Sequence, residues 1–128
     1  MATDIKIGKV CDINPAQMTA KVTFEDRDGV TSDWLPINCF GRGGNYHYWM
    51  PDIGEQVTAL TVSDGDGEGI ILGSRYSEAS PPKENSQNKR KIEFKNGDFI
   101  EYDRGSGNLT IKVSGVVKIN GSHISLND

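Results

Sequence analysis

Cysteine is almost missing from this chain. The two cysteines, Cys11 and Cys39, lie on different predicted elements and match no metal-ligand spacing, so a disulfide framework has no support. Both read as reduced core or surface residues. No apolar run approaches the ~20 residues of a membrane span, and the N-terminus lacks the charged-then-apolar pattern of a signal peptide. Synthesis in the cytoplasm is therefore expected. Positive charge is short as well: 14 Lys and Arg against 18 Asp and Glu leave a formal net charge of -4. That balance argues against a nucleic-acid partner, because such binding depends on lysine and arginine neutralising phosphates. The one basic cluster, Lys89-Arg90-Lys91, ends a polar stretch and reads as a solvated junction. Catalytic pairings are lacking too. His47 and His123 fall in different predicted domains without a spaced serine, cysteine or carboxylate partner, so neither an enzyme nor a cofactor is expected.

Helical periodicity is absent, and 15 glycines with a hydrophobic fraction of 35% describe short strands and many turns. An all-β fold follows, with 128 residues enough for one ordinary domain and an appendage. The appendage, residues 91–128, organises the chain. It contains short runs of period-two alternation closed by Asn96-Gly97, Gly105-Ser106-Gly107, Ser114-Gly115 and Asn120-Gly121. One parity is apolar: Ile92 and Phe94, Ile100 and Tyr102, Leu109, Ile111 and Val113, Val117 and Ile119, Ile124 and Leu126. Glu93, Glu101, Asp103, Lys112 and Lys118 occupy the other. One-sided strands with no helix have nothing of their own to pack against, and chains below roughly 40 residues usually need metal, disulfides or oligomerisation to fold. Oligomerisation is the expected answer. Copies of the ladder around an axis turn the apolar faces inward, and a three-sided prism of short strands also removes lateral edges. Ile100, Tyr102, Leu109, Ile111, Val113, Val117, Ile119, Ile124 and Leu126 are the expected core of a homotrimer.

Upstream, Ile5, Ile7 and, after Gly8, Val10 read as a strand with a bulge or bend at the glycine. Asn14-Pro15 is a turn. Met18 to Glu25 is a second strand with Ala20, Val22 and Phe24 inward, and Asp26-Arg27-Asp28-Gly29 closes a hairpin. Val30 to Ile37 reads as the third strand, Gln56 to Val62 as the fourth and Glu68 to Tyr76 as the fifth, together a five-stranded barrel over residues 1–76. A linker over 77–90 follows. In the loop Asn38 to Pro51, Gly41-Arg42-Gly43-Gly44 opens no helix and is no phosphate cradle. Its Tyr46, His47, Tyr48 and Trp49 fit a barrel cap or a subunit interface better than a base-stacking platform. The acidic run Asp64 to Gly69 has Arg75 where a calcium loop needs glutamate, and reads as a plain hairpin.

The order IGKVCDINP, AKVTFED, WLPI, MPDIGEQV, GEGIILGSRY, followed by GDFIEYD and GNLTIKV, resembles the baseplate assembly protein V family, the central spike proteins of contractile tails. Similar barrels occur in the valine-glycine-repeat spikes of type VI secretion, which carry large extra domains. The resemblance implies an OB-fold barrel, a linker and a short intertwined trimeric β-helix. It implies assembly into a virion tail or phage-tail-like particle, with tail-tube hub and baseplate proteins as partners and the target cell envelope as the thing punctured. A monomeric OB-fold protein that binds single-stranded nucleic acid is the alternative. Spikes of the family often end in a His-x-His pair that holds an iron ion, whereas here Ser125 follows His123 at that spacing. His123 therefore reads as a polar strand-end residue. A rod of five layers at ~4.8 Å is only about 25 Å long, so a separate conical tip protein is expected at its far end.

Overall fold

The computed structural model describes residues 3–24, 29–62, 68–74 and 81–127, and every regular element among them is a β-strand. The chain divides into two compact units, Met1–Pro81 and Pro82–Asp128. The first unit is a curled antiparallel sheet of β1 (Thr3–Asn14), β2 (Thr19–Phe24), β3 (Val30–Thr31), β4 (Leu35–Pro36), β5 (Gln56–Val62) and β6 (Gly69–Ser74). The strand order is β3-β2-β1-β5-β6, with β4 also pairing β2. Curling brings the far edges together at a single parallel bridge, Ile37 to Ile71, where Asn38 N–H donates to the Ile71 carbonyl at 2.9 Å. One bridge joins them rather than a ladder.

The core of this unit is Val10, Ala20, Val22, Phe24, Leu35, Val57, Ala59 and Ile71. Strand β2 contributes three of these by strict alternation, as its sequence requires. Fully burying side chains of the size of Phe24, Leu35 and Ile71 stabilises the sheet by about 1.5–3 kcal/mol each. Strand β1 departs from its expected pattern. Lys6, Gly8 and Val10 point inward, while Ile5 is 71% exposed and Ile7 lies on the same outer face. Gly8 explains the choice: a Cβ there falls 2.5 Å from Val22 Cγ1 and 2.6 Å from the Thr23 carbonyl oxygen. Only glycine lets β2 approach so closely, and this fixes the parity of the whole strand. Lys6 then lies inside with its ammonium 5.5 Å from the Phe24 ring centroid, its stem covering apolar surface. The bulge against β2 falls between Val10 and Asp12, three residues beyond the glycine, and leaves Cys11 as the extra residue.

The third expected strand is broken in two, giving six strands among the described residues where five were read. Ser32 interrupts it: its Oγ accepts from Val22 N–H at 3.0 Å and donates to the Asp33 carbonyl at 2.7 Å, while Asp33 Oδ1 accepts from Trp34 N–H at 2.9 Å. Side chains supply there what a ladder supplies elsewhere. Strand β5 has the expected bounds and alternation, with Val57, Ala59 and Thr61 inward. The Asp26 to Asp28 turn, the Asp64 to Gly67 hairpin and the end of the fifth expected strand, Arg75 and Tyr76, lie outside the described residues.

The second unit is a three-stranded antiparallel sheet, β7 (Lys89–Glu93), β8 (Phe99–Asp103) and β9 (Asn108–Lys112), in sequential order. The Asn96-Gly97 turn closes the first hairpin with Phe94 N–H donating to the Asp98 carbonyl at 2.8 Å. Gly107 N–H donates to the Asp103 carbonyl at 2.7 Å in the second. Beyond Lys112 the chain continues with no strand among the described residues, so the expected runs around Val117 and Ile119, and Ile124 and Leu126, have no ladder within one chain.

Candidate functional site

Three surfaces carry chemistry, and the first is the apolar face of the second unit's sheet. Register places Arg90 opposite Tyr102, Ile92 opposite Ile100, Ile100 opposite Ile111 and Tyr102 opposite Leu109. Five apolar side chains of three adjacent strands thus share one face, and all are exposed, Leu109 at 65%. Ile100, Tyr102, Leu109 and Ile111 of the expected trimer core are brought together there. Val113, Val117, Ile119, Ile124 and Leu126 follow on the unladdered segment, also exposed, with Leu126 at 82%. A contiguous uncovered apolar sheet face is unusual for a soluble monomer.

The opposite face is the better covered of the two. Residues just before β7 fold back over it: Lys83 pairs with Glu93 at 2.8 Å, and Glu84 with Lys89 at 3.0 Å and Lys91 at 3.9 Å. Lys89 also reaches Glu101 at 3.4 Å, and Lys91 reaches Glu93 at 2.9 Å. Lys91 Nζ stands 4.4 Å from the ring centroid of Phe99, an aromatic on the charged parity. Hydrogen bonds from Lys83 and Lys91 hold the Glu93 carboxyl down to about 2. The lysines respond in kind, Lys89 raised chiefly by its hydrogen bond to Glu84 and Lys91 by its bond to Glu93. Lys83 and Glu84 sit in what reads as a plain linker; the signal was present as opposite charges bracketing Lys89, Lys91 and Glu93. Arg104 adds a clasp, its Nε 3.2 Å from Asn88 Oδ1.

The third surface is a cleft of about 310 Å³ in the first unit, between the 38–51 loop and the end of β6. Phe40, His47 and Trp49 line it beside Ile37, Val57, Ile71 and Leu72, with Asn38, Glu55 and Ser74 as polar members. Phe40 and His47 pack edge to face, their ring centroids 5.6 Å apart. Of the aromatic cluster read from sequence, His47 and Trp49 enter this cleft. Tyr46 is exposed, and Tyr48 donates from its hydroxyl to the Pro15 carbonyl at 3.4 Å. Phe40 and Glu55 were not singled out by the sequence reading, since neither belongs to a recognisable spacing. Cys11 and Cys39 are both free, and His123 is exposed.

This sheet, curled on itself and followed by a separate unit, is matched over residues 6–76 by the family model of the type VI secretion system/phage-baseplate injector OB domain. The chain belongs to that family. The matched span begins at buried Lys6 and takes in all of β2 to β6, the core and the aromatic cleft. A "Spike protein" of Escherichia phage P2 is 33% identical to this chain over 83 residues, covering 65% of the chain and 39% of that relative. The chain spans well under two thirds of the relative's length. The injector OB domain accounts for the first unit; the exposed apolar face and the ion network lie outside the matched residues, in the second.

Proposed function

We propose that this protein is a structural component of a contractile injection particle, a homotrimer whose second unit forms the shaft of a central spike. The observation that carries the reading is the uncovered face of Ile92, Ile100, Tyr102, Leu109 and Ile111, continued by the unladdered segment to Leu126. Three copies around an axis bury that face, and the segment beyond Lys112 finds strand partners in neighbouring chains, as a short intertwined β-helix. The ion network faces outward in this arrangement, where water and salt reach it.

The first unit, as an OB domain whose sheet curls on itself, seats the trimer on the tail-tube hub and baseplate proteins. The shaft passes the thrust of contraction to a small area of the target cell envelope, with a separate tip protein as the expected partner beyond it. Membership of the injector family and the likeness to a phage spike protein support this role. The work is mechanical and needs no catalytic group. Light scattering of the full chain tests it: a mass three times the 14.0 kDa of one chain is expected, and a monomer at micromolar concentration overturns the reading.

A further inference from the structure

Among the described residues, the cleft of the first unit holds a carboxylate with no cationic side chain in its lining. Glu55 is half-buried among mostly apolar walls, and among the described residues its carboxylate is met only by neutral donors: Ser74 Oγ donates to Oε2, and Asp52 N–H donates to Oε1 at 3.3 Å. No lysine or arginine lines the cleft among the described residues. Each carboxylate oxygen accepts more than one hydrogen bond, so acceptor capacity remains beside the rings of Phe40 and Trp49. Phe40 is 83% exposed at the rim. A carboxylate next to aromatic faces in a partly desolvated cleft is complementary to a cation with an apolar stem, because ring quadrupole and carboxylate attract the same charge.

We propose that this cleft receives an arginine side chain from a neighbouring protein chain. Arginine fits better than lysine: a planar guanidinium stacks on a ring while its edge donates two parallel bonds to a carboxylate, and it is more weakly hydrated than an ammonium. Its methylene stem packs on Leu72 at the wall. Nucleic acid is disfavoured, since its phosphates meet the Glu55 charge. Identification of the neighbour as a baseplate protein rests on the function proposed above; the preference for arginine rests on the cleft alone.

The test uses the full-length protein and the peptide acetyl-Gly-Leu-Arg-Gly-amide, with a citrulline version as the neutral isostere and a lysine version beside it. Amide NMR shifts are followed on titration. Saturable shifts at residues 38–40, 47–49 and 72–74 are expected, with the citrulline peptide about tenfold weaker, the equivalent of ~1.4 kcal/mol. Glu55→Gln should cost the arginine peptide a similar factor, and Phe40→Ala, on the exposed rim, should weaken binding without unfolding the sheet. Equal affinity for arginine and citrulline peptides, equal affinity for the lysine peptide, or shifts confined to other surfaces would each overturn the proposal. Light scattering of the same sample separates the two readings. A monomer that still prefers arginine overturns the trimer and keeps this site; a trimer without the preference does the reverse.

Discussion

Gly8 and Ile111 show how single positions decide this structure. The absence of a side chain at Gly8 admits Val22 and Phe24, so Lys6, Gly8 and Val10 face the core and two isoleucines are turned outward. Gly8→Ala should therefore destabilise the first unit by about 1–3 kcal/mol, the usual cost of overpacking, seen as a lower denaturant midpoint with an unchanged slope. Ile111 poses the opposite case, because it is 53% exposed in one chain. In a monomer, Ile111→Asp replaces an exposed apolar group with a solvated one and should be harmless. In the proposed trimer it places three carboxylates in one buried layer, at several kcal/mol each if they stay charged. Assembly should fail for Ile111→Asp and survive Lys112→Asp, as sedimentation would show. Equal damage from both changes would mean that the register of β9 in the assembly is not the one proposed.

Elements were legible wherever alternation met no competing local chemistry. Strand β2 and strand β5 follow their apolar parity because nothing in Thr19–Phe24 or Gln56–Val62 opposes it. The third strand broke where Ser32 and Asp33 capture backbone groups, and β1, present as read, turns Ile5 and Ile7 outward because close approach at Gly8 outranks their hydrophobicity. Neither interaction has a sequence period. In the second unit the apolar parity was readable from the strands, but the cover on the charged face was not, since it depends on residues 82–88 folding back. That cover has a pH signature. The Glu93 carboxyl lies at about 2, against an ordinary 4.5, held by hydrogen bonds from Lys83 and Lys91. A depressed carboxyl stabilises the fold fully above its unfolded pKa, and the contribution is lost as pH falls from 4.5 through about 2. The stability gap between wild type and Glu93→Gln should thus be present at neutral pH and vanish near pH 2. These pairs are partly solvated, so 1 M salt should narrow the gap as well. A gap that persists unchanged in acid would remove Glu93 from the network.

At the scale of the molecule, the two units differ in how they meet the need to bury apolar surface. The first closes a core around Phe24, Leu35 and Ile71, each essentially inaccessible to water, and can satisfy most of its backbone within one chain. The second buries no residue fully among those described, and its best-covered face is ionic. Hydrophobic burial is the main favourable term in folding, so a sheet that presents its apolar side to water gains little from folding alone. The two units should therefore part company when separated. A fragment ending before Pro82 should keep its sheet and run as a monomer or weak associate, while residues 82–128 should fold only on trimerising, with a melting temperature that rises with concentration. Circular dichroism at a series of fragment concentrations reads this directly. Concentration-independent melting of the second fragment would show that three strands and an ion network suffice, and the shaft would then need another explanation for its exposed face.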